Sequence, residues 1–126
     1  MKIRILSRKS DLAIIQAREF SDYLQSKHPF VEIEFLTRST SGDKDLKTPL
    51  SEMPTEGVFT NDLRDELINN KCDLIVHSWK DLPIEVGDKT QIAATLKRAD
   101  KRDILFLKKN KKMDSKKITI LCSSPR

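Results

Sequence analysis

The sequence predicts an α/β domain, a mixed sheet with helices packed against it, on two kinds of apolar pattern. Alternation at period two marks strands in residues 2–6 and 31–35, and the unbroken run Leu74-Ile75-Val76 marks a strand covered on both faces. Apolar residues at helical spacing fill residues 11–27 and 61–70. Strands therefore alternate with helices along the chain, which is the order that builds an α/β sheet.

In the first strand Ile3, Ile5 and Leu6 stand among Lys2 and Arg4. Ser7 to Ser10 is a short connection, and Ser10 suits the N-cap of the following helix. In that helix Ala13, Ala17, Phe20 and Leu24 fall at i, i+4, i+7 and i+11, one buried stripe. Its N-terminus offers free N–H groups to an anion, with Arg8 and Ser10 beside it. Gln16, two turns in, reads as a solvent-facing residue. His28-Pro29 ends the helix, and Val31, Ile33 and Phe35 then alternate with Glu32 and Glu34 in a half-buried strand. Residues 38–57 read as one long loop, of the length that lids have. Thr60 suits a cap for a short helix over 61–70, with Leu63 and Leu67 inward. Further strands are expected over 90–96, 103–107 and 116–122.

A polar, ionisable cluster follows the run at 74–76 at once: His77-Ser78-Trp79-Lys80-Asp81-Leu82-Pro83. Pro83 stops regular structure and biases Leu82 away from helix. Ser78, Lys80 and Asp81 are thus expected on a tight turn at the carboxyl end of a strand, where open α/β sheets gather ligands. By itself the cluster is a weak signal, since a Lys-Asp pair on a turn also reads as a surface ion pair. His77 reads as a hydrogen-bonded buried histidine and Trp79 as a packing residue.

The cluster resembles the HS-x-K-D-x-P segment of the porphobilinogen deaminase (hydroxymethylbilane synthase) family, and it does not stand alone. Arg8-Lys9-Ser10-Asp11-Leu12-Ala13-Ile14-Ile15-Gln16-Ala17 is similar to that family's R-x-S-x-L-A-x-x-Q-A opening. Gly42-Asp43, Thr48-Pro49-Leu50, Gly57-Val58-Phe59-Thr60, the Arg98 to Asp103 turn and Ser123-Ser124-Pro125-Arg126 follow in the family's order. The resemblance implies a lobe like that of type II periplasmic binding proteins, truncated here, with residues 1–97 as a first domain and 98–126 leading into a second. It implies an enzyme that joins four porphobilinogen units into hydroxymethylbilane, with release of ammonia, in haem biosynthesis. It also implies a dipyrromethane cofactor, attached to a cysteine of a third domain that this chain lacks, so that the chain alone is expected to be inactive.

Each role follows from the resemblance and the chemistry together. Loss of the aminomethyl nitrogen leaves a cationic pyrrole, which needs a carboxylate and a proton donor, and Asp81 is assigned both tasks. The ligand's many carboxylates are assigned to Arg8, Lys80 and Arg126, with Ser10, Ser78, Ser123 and Ser124 as hydroxyl donors. The match also lets Gln16 reach the site. Glu52 and Glu56 depart from the family, standing where its loop carries lysines. That departure, with the missing cofactor cysteine, favours an alternative: a non-catalytic anion-binding module derived from the family.

The net charge of +5 is unevenly placed, with ten Lys or Arg against three Asp in residues 97–117 and thirteen against sixteen acidic residues in 1–96. The basic segment has no aromatic residue after Phe106 and reads as a solvated linker rather than a nucleic-acid patch. No apolar run is long enough to span a membrane, and no leader is expected ahead of the first strand. A cytoplasmic protein, monomeric in its full-length form, is expected. Cys72 and Cys122 lack metal or C-x-x-C spacing, no metal site is expected, and both cysteines read as small buried residues.

Overall fold

In the computed structural model, residues 1–45, 47–49, 52–53, 57–83, 87–98 and 100 are described. Residues 1–96 form one compact unit; the second unit, 97–126, is described only at 97, 98 and 100. The elements in order are β1 (Lys2–Arg8), α1 (Asp11–Lys27), β2 (Glu32–Arg38), α2 (Ser41–Lys44), α3 (Asn61–Ile68), β3 (Leu74–Ile75) and a 3₁₀ turn over Trp79–Asp81. This is the α/β class expected from the alternation of patterns.

The described strands form a parallel sheet in the order β2-β1-β3. The register sets Ile5 opposite Phe35 and Leu74, and Leu6 opposite Leu36 and Ile75. Strand β1 is the one in the middle, and Ile5, Leu6 and Ser7 are 0, 4 and 1% exposed. The double coverage expected of residues 74–76 belongs instead to β1. Among the described residues strand β3 pairs with β1 alone, over two residues, and it is half-buried. What anchors its start is Asp73, which accepts from the Arg4 backbone N–H and from its Nε and Nη2 at 2.8–3.1 Å.

Helix α1 has the expected bounds, and its stripe holds, with Ala17 fully buried and Ala13, Phe20 and Leu24 half-buried. Ser21 joins the buried face because its hydroxyl donates to the Ala17 carbonyl, at 2.8 Å, and so needs no water. In β2 the expected inward position of Phe35 is corrected: Phe35 is 44% exposed, while Leu36 packs on the Leu6, Leu63 and Cys72 cluster. The pairing of Leu6 with Leu36 puts both on one face of the pleat, which sends Phe35 to the other.

Helix α3 buries Leu63 completely and packs Leu67 on the same cluster, as expected. Its end at Ile68 is closed by Asn70 in the left-handed region, at φ 56°, with the Lys71 N–H reaching back to the Glu66 carbonyl. Neither Ser10 nor Thr60 donates or accepts a side-chain cap bond, although both occupy N-cap positions. Residues 90–96, expected as a strand, are not part of the sheet formed by the described strands and are mostly exposed. The strands expected at 103–107 and 116–122 lie outside the described residues.

Candidate active site

Strand order 2-1-3 means that the chain leaves β1 toward one side and returns to its other side at β3. The carboxyl ends of β1 and β3 are therefore the point where the winding direction switches, which is where open α/β sheets form their crevices. A cavity of about 250 Å³ lies there. Arg8 and Ser10 reach it from the end of β1, Leu12 and Ala13 from the first turn of α1, and Val76, His77, Ser78, Lys80 and Asp81 from the segment after β3. Phe59 closes one wall.

Of the residues assigned from sequence, Arg8, Ser10, Ser78, Lys80 and Asp81 thus share one cavity. Ser123, Ser124 and Arg126 lie outside the described residues, as do Glu56 and Cys122. Glu52 is exposed and does not line the cavity. The 3₁₀ turn over Trp79–Asp81 is closed by the Asp81 N–H on the Ser78 carbonyl at 3.0 Å, ahead of the Pro83 stop.

The guanidinium of Arg8, 17% exposed, is the centre of the charge pattern. It lies over the Phe59 ring, 4.2 Å from the centroid, and donates through Nε and Nη2 to the two oxygens of Asp43. Its Nη1 donates to Asp81 Oδ2 at 3.4 Å. Asp43 is fixed in turn: it accepts from the Thr40 N–H at 3.0 Å and from the Thr40 hydroxyl at 2.9 Å, and its own N–H donates to Thr40 Oγ1 at 3.3 Å, which completes the capping box that opens α2. The Arg8 bond first, then the Thr40 bonds, overcome burial and pull the Asp43 carboxyl from 3.8 to about 2.

The expected long loop is therefore partly built. Thr40 is fully buried, and Gly42 sits so close to Val58 and Phe59 that a Cβ there would come within 2.5 Å of each. A larger residue would push α2 off the Phe59 wall. Gly42-Asp43 stands among the family-like motifs, but nothing local in the sequence marks Asp43 as the partner of Arg8. Gln16, expected to face solvent unless the family match held, accepts the Ser78 hydroxyl at 2.7 Å.

Two expectations in the cluster are corrected. Trp79 does not pack into the core: it is 65% exposed, at the start of a 3₁₀ turn none of whose residues is buried. His77 is half-buried, and its Nε2, itself out of solvent, has no hydrogen-bond partner among the described residues. Burial pushes its pKa below 6.5 against the opposing pull of Asp81, so the ring is neutral near pH 7. Cys72, by contrast, is the small buried residue expected, 2% exposed, with its thiol pKa raised by burial. No described helix is long and apolar enough to cross a membrane.

Comparison with known proteins agrees with the motif reading. The family model described as "Porphobilinogen deaminase, dipyromethane cofactor binding domain" matches residues 3–126. Curated relatives named porphobilinogen deaminase include one from Acetivibrio thermocellus, 40% identical over 126 residues, covering all of this chain and 43% of the relative. One from Alkaliphilus oremlandii is 37% identical with the same coverage, and one from Syntrophomonas wolfei is 42% identical over 86% of the chain and 35% of the relative. The chain spans about two-fifths of the length of the curated relatives that it matches from end to end.

Proposed function

The chain belongs to the porphobilinogen deaminase family, and from that premise we propose that it forms the N-terminal, cofactor-binding part of a cytoplasmic hydroxymethylbilane synthase, a monomer that polymerises four porphobilinogen units with release of ammonia. Residues 1–97 are the first domain in this reading, and 98–126 lead into the next. The observation that carries it is the convergence of Arg8, Ser10, Ser78, Lys80 and Asp81 on one cavity at the switch point of the sheet.

The residues present fit a pyrrole bearing carboxylate arms. Arg8 and Lys80 supply positive charge, Ser10 supplies a hydroxyl, Ser78 supplies one whose hydrogen goes to Gln16 until a ligand competes for it, and Leu12, Ala13, Phe59 and Val76 supply an apolar surface for a ring. The unpartnered Nε2 of His77 adds a neutral polar atom in the same wall. A dipyrromethane group, when bound, would supply the pyrrole end to which each new unit is joined. Arg8 and Lys80 orient the carboxylate arms, and the switch-point walls keep water from the reacting carbon. Asp81 stabilises the positive charge left on the incoming pyrrole as its amine departs, and carries a proton to that amine. Ser123, Ser124 and Arg126 keep their assignment to carboxylate binding on the motif alone.

The test is a chimaera that joins residues 1–126 to the remaining length of the Acetivibrio thermocellus relative, assayed for ammonia release from porphobilinogen. Asp81→Asn is expected to lower turnover about 10²–10⁴-fold, the usual worth of a positioned acid or base, with the thermal midpoint preserved. Near-normal ammonia release from the Asn variant removes Asp81 from the mechanism.

A further inference from the structure

Arg8 faces two carboxylates, and the two hold it unequally. Asp43 takes the Nε and Nη2 edge with both oxygens, and is itself held by the Thr40 N–H and hydroxyl. Asp81 makes one bond to Nη1, at 3.4 Å, close to the length at which a hydrogen bond ceases to count. Among the described residues these three charged groups sum to −1. Lys80 is the other cation lining the cavity, but the Nε, Nη1 and Nη2 donors of Arg8 are already shared by the two resident carboxylates, so a ligand carboxylate can take an edge of Arg8 only when one of them gives way. Asp43 would have to give up its ion pair and its capping box together, whereas Asp81 gives up one long contact.

We propose that Asp43 is a positioning residue that holds Arg8 permanently by its Nε and Nη2 edge, and that Asp81 is the partner Arg8 exchanges for a carboxylate of the ligand. This rests on the carboxylate-binding reading above. The exchange frees the Asp81 carboxylate into the cavity at the moment the ligand is seated. Binding and the availability of Asp81 are thus coupled, and by linkage removing the Asp81 charge must favour the ligand. Arg8 keeps its direction throughout, because Asp43 and the Phe59 ring fix two of its faces. Gly42 gives α2 the close approach to Phe59 that this alignment needs.

The experiment titrates the 126-residue chain, isotopically labelled, with porphobilinogen, and follows the Arg8 Nε–H and Asp81 carboxyl resonances by NMR. In the wild type the Arg8 Nε–H signal should stay near its free position while the Asp81 carboxyl signal moves. Asp81→Asn should tighten binding about five-fold, the scale of a partly exposed ion pair. Asp43→Asn should weaken it about ten-fold, as expected for losing a charge-assisted anchor. Thr40→Ala removes a cap hydroxyl and leaves the Asp43 contact to Arg8, so it should lower the thermal midpoint while keeping affinity within about two-fold.

Equal weakening by Thr40→Ala and Asp43→Asn would reduce Asp43 to a structural cap and overturn its positioning role. Binding that leaves the Asp81 signal in place, or that Asp81→Asn does not tighten, would overturn the exchange while leaving the carboxylate-binding reading intact. No binding by either wild type or Asp81→Asn would overturn both. Should Asp43→Asn not fold, the wild-type titration and Asp81→Asn decide the matter.

Discussion

Ser78 and Gln16, 62 residues apart, are joined by a hydrogen bond of 2.7 Å from the serine hydroxyl to the glutamine Oε1. The bond ties the second turn of α1 to the residue that opens the 3₁₀ turn, and so sets the spacing between the two sides of the cavity. Part of the helix is thereby recruited to the site, although its sequence pattern marks Gln16 only as a polar residue between buried positions.

A double-mutant cycle of Gln16→Ala and Ser78→Ala measures this tie. Each single change is expected to cost about 1 kcal/mol, and the pair to be coupled by a similar amount, because a part-buried neutral bond is lost once and not twice. Urea denaturation of the four chains gives the numbers. Strict additivity would mean that the two side chains do not act on each other in solution.

The acid limb of stability should carry the signature of Asp43. Its carboxyl lies at about 2 in the folded chain, below the ordinary 3.8, so the folded state binds fewer protons than the unfolded one in this range. The contribution is fully present above about pH 4 and is lost as pH falls toward 2. Asp73, also drawn to about 2 by Arg4, adds a share of the same sign. In urea titrations at successive pH values, Asp43→Asn should give a shallower fall than wild type across that window. An unchanged slope would show that Arg8 does not hold Asp43 in solution.

Much of this arrangement was legible in sequence, and the reasons are physical. The stripe from Ala13 to Leu24 and the pair Leu63 and Leu67 follow helical spacing, and burial obeys them. The turn at Trp79–Asp81 follows from an apolar run cut short by Pro83. What the pattern could not supply was which strand is central. β1 mixes apolar residues with Lys2, Arg4 and Arg8 while residues 74–76 are unbroken apolar, so only pairing shows that β1 is the one flanked on both sides. The capping box of Thr40 and Asp43 was hidden in a stretch whose composition says loop, because a four-residue helix has no periodicity to read. The Arg8 to Asp43 pair joins residues 35 apart, a contact that no local pattern encodes.

Glu52 is exposed and does not line the cavity, so its expected effect on a ligand rich in carboxylates is electrostatic. Glu52→Lys is expected to tighten porphobilinogen binding at 10 mM salt, where the screening length is about 30 Å, and to leave it unchanged at 150 mM, where it is about 8 Å. Isothermal titration at both ionic strengths tests this. A gain that persists at high salt would place the side chain in direct contact with the ligand.

The 126-residue chain by itself should build no pyrrole chain. Attachment of a primer needs a cysteine thiolate within reach of the substrate. Cys72 is 2% exposed, sits in the Leu6 and Leu63 cluster, and has its thiol pKa raised by burial, so at neutral pH it is neither ionised nor accessible. Cys122 lies outside the described residues and directly precedes Ser123 and Ser124, whose proposed task is to bind carboxylates rather than to be alkylated beside them. A site that seats pyrrole carboxylates without a place to anchor them binds and releases. Incubation with porphobilinogen should therefore give an unchanged intact mass and no sustained ammonia release, while the resonances of Asp81 respond to the ligand. A mass increase on either cysteine would show that this chain carries its own attachment point.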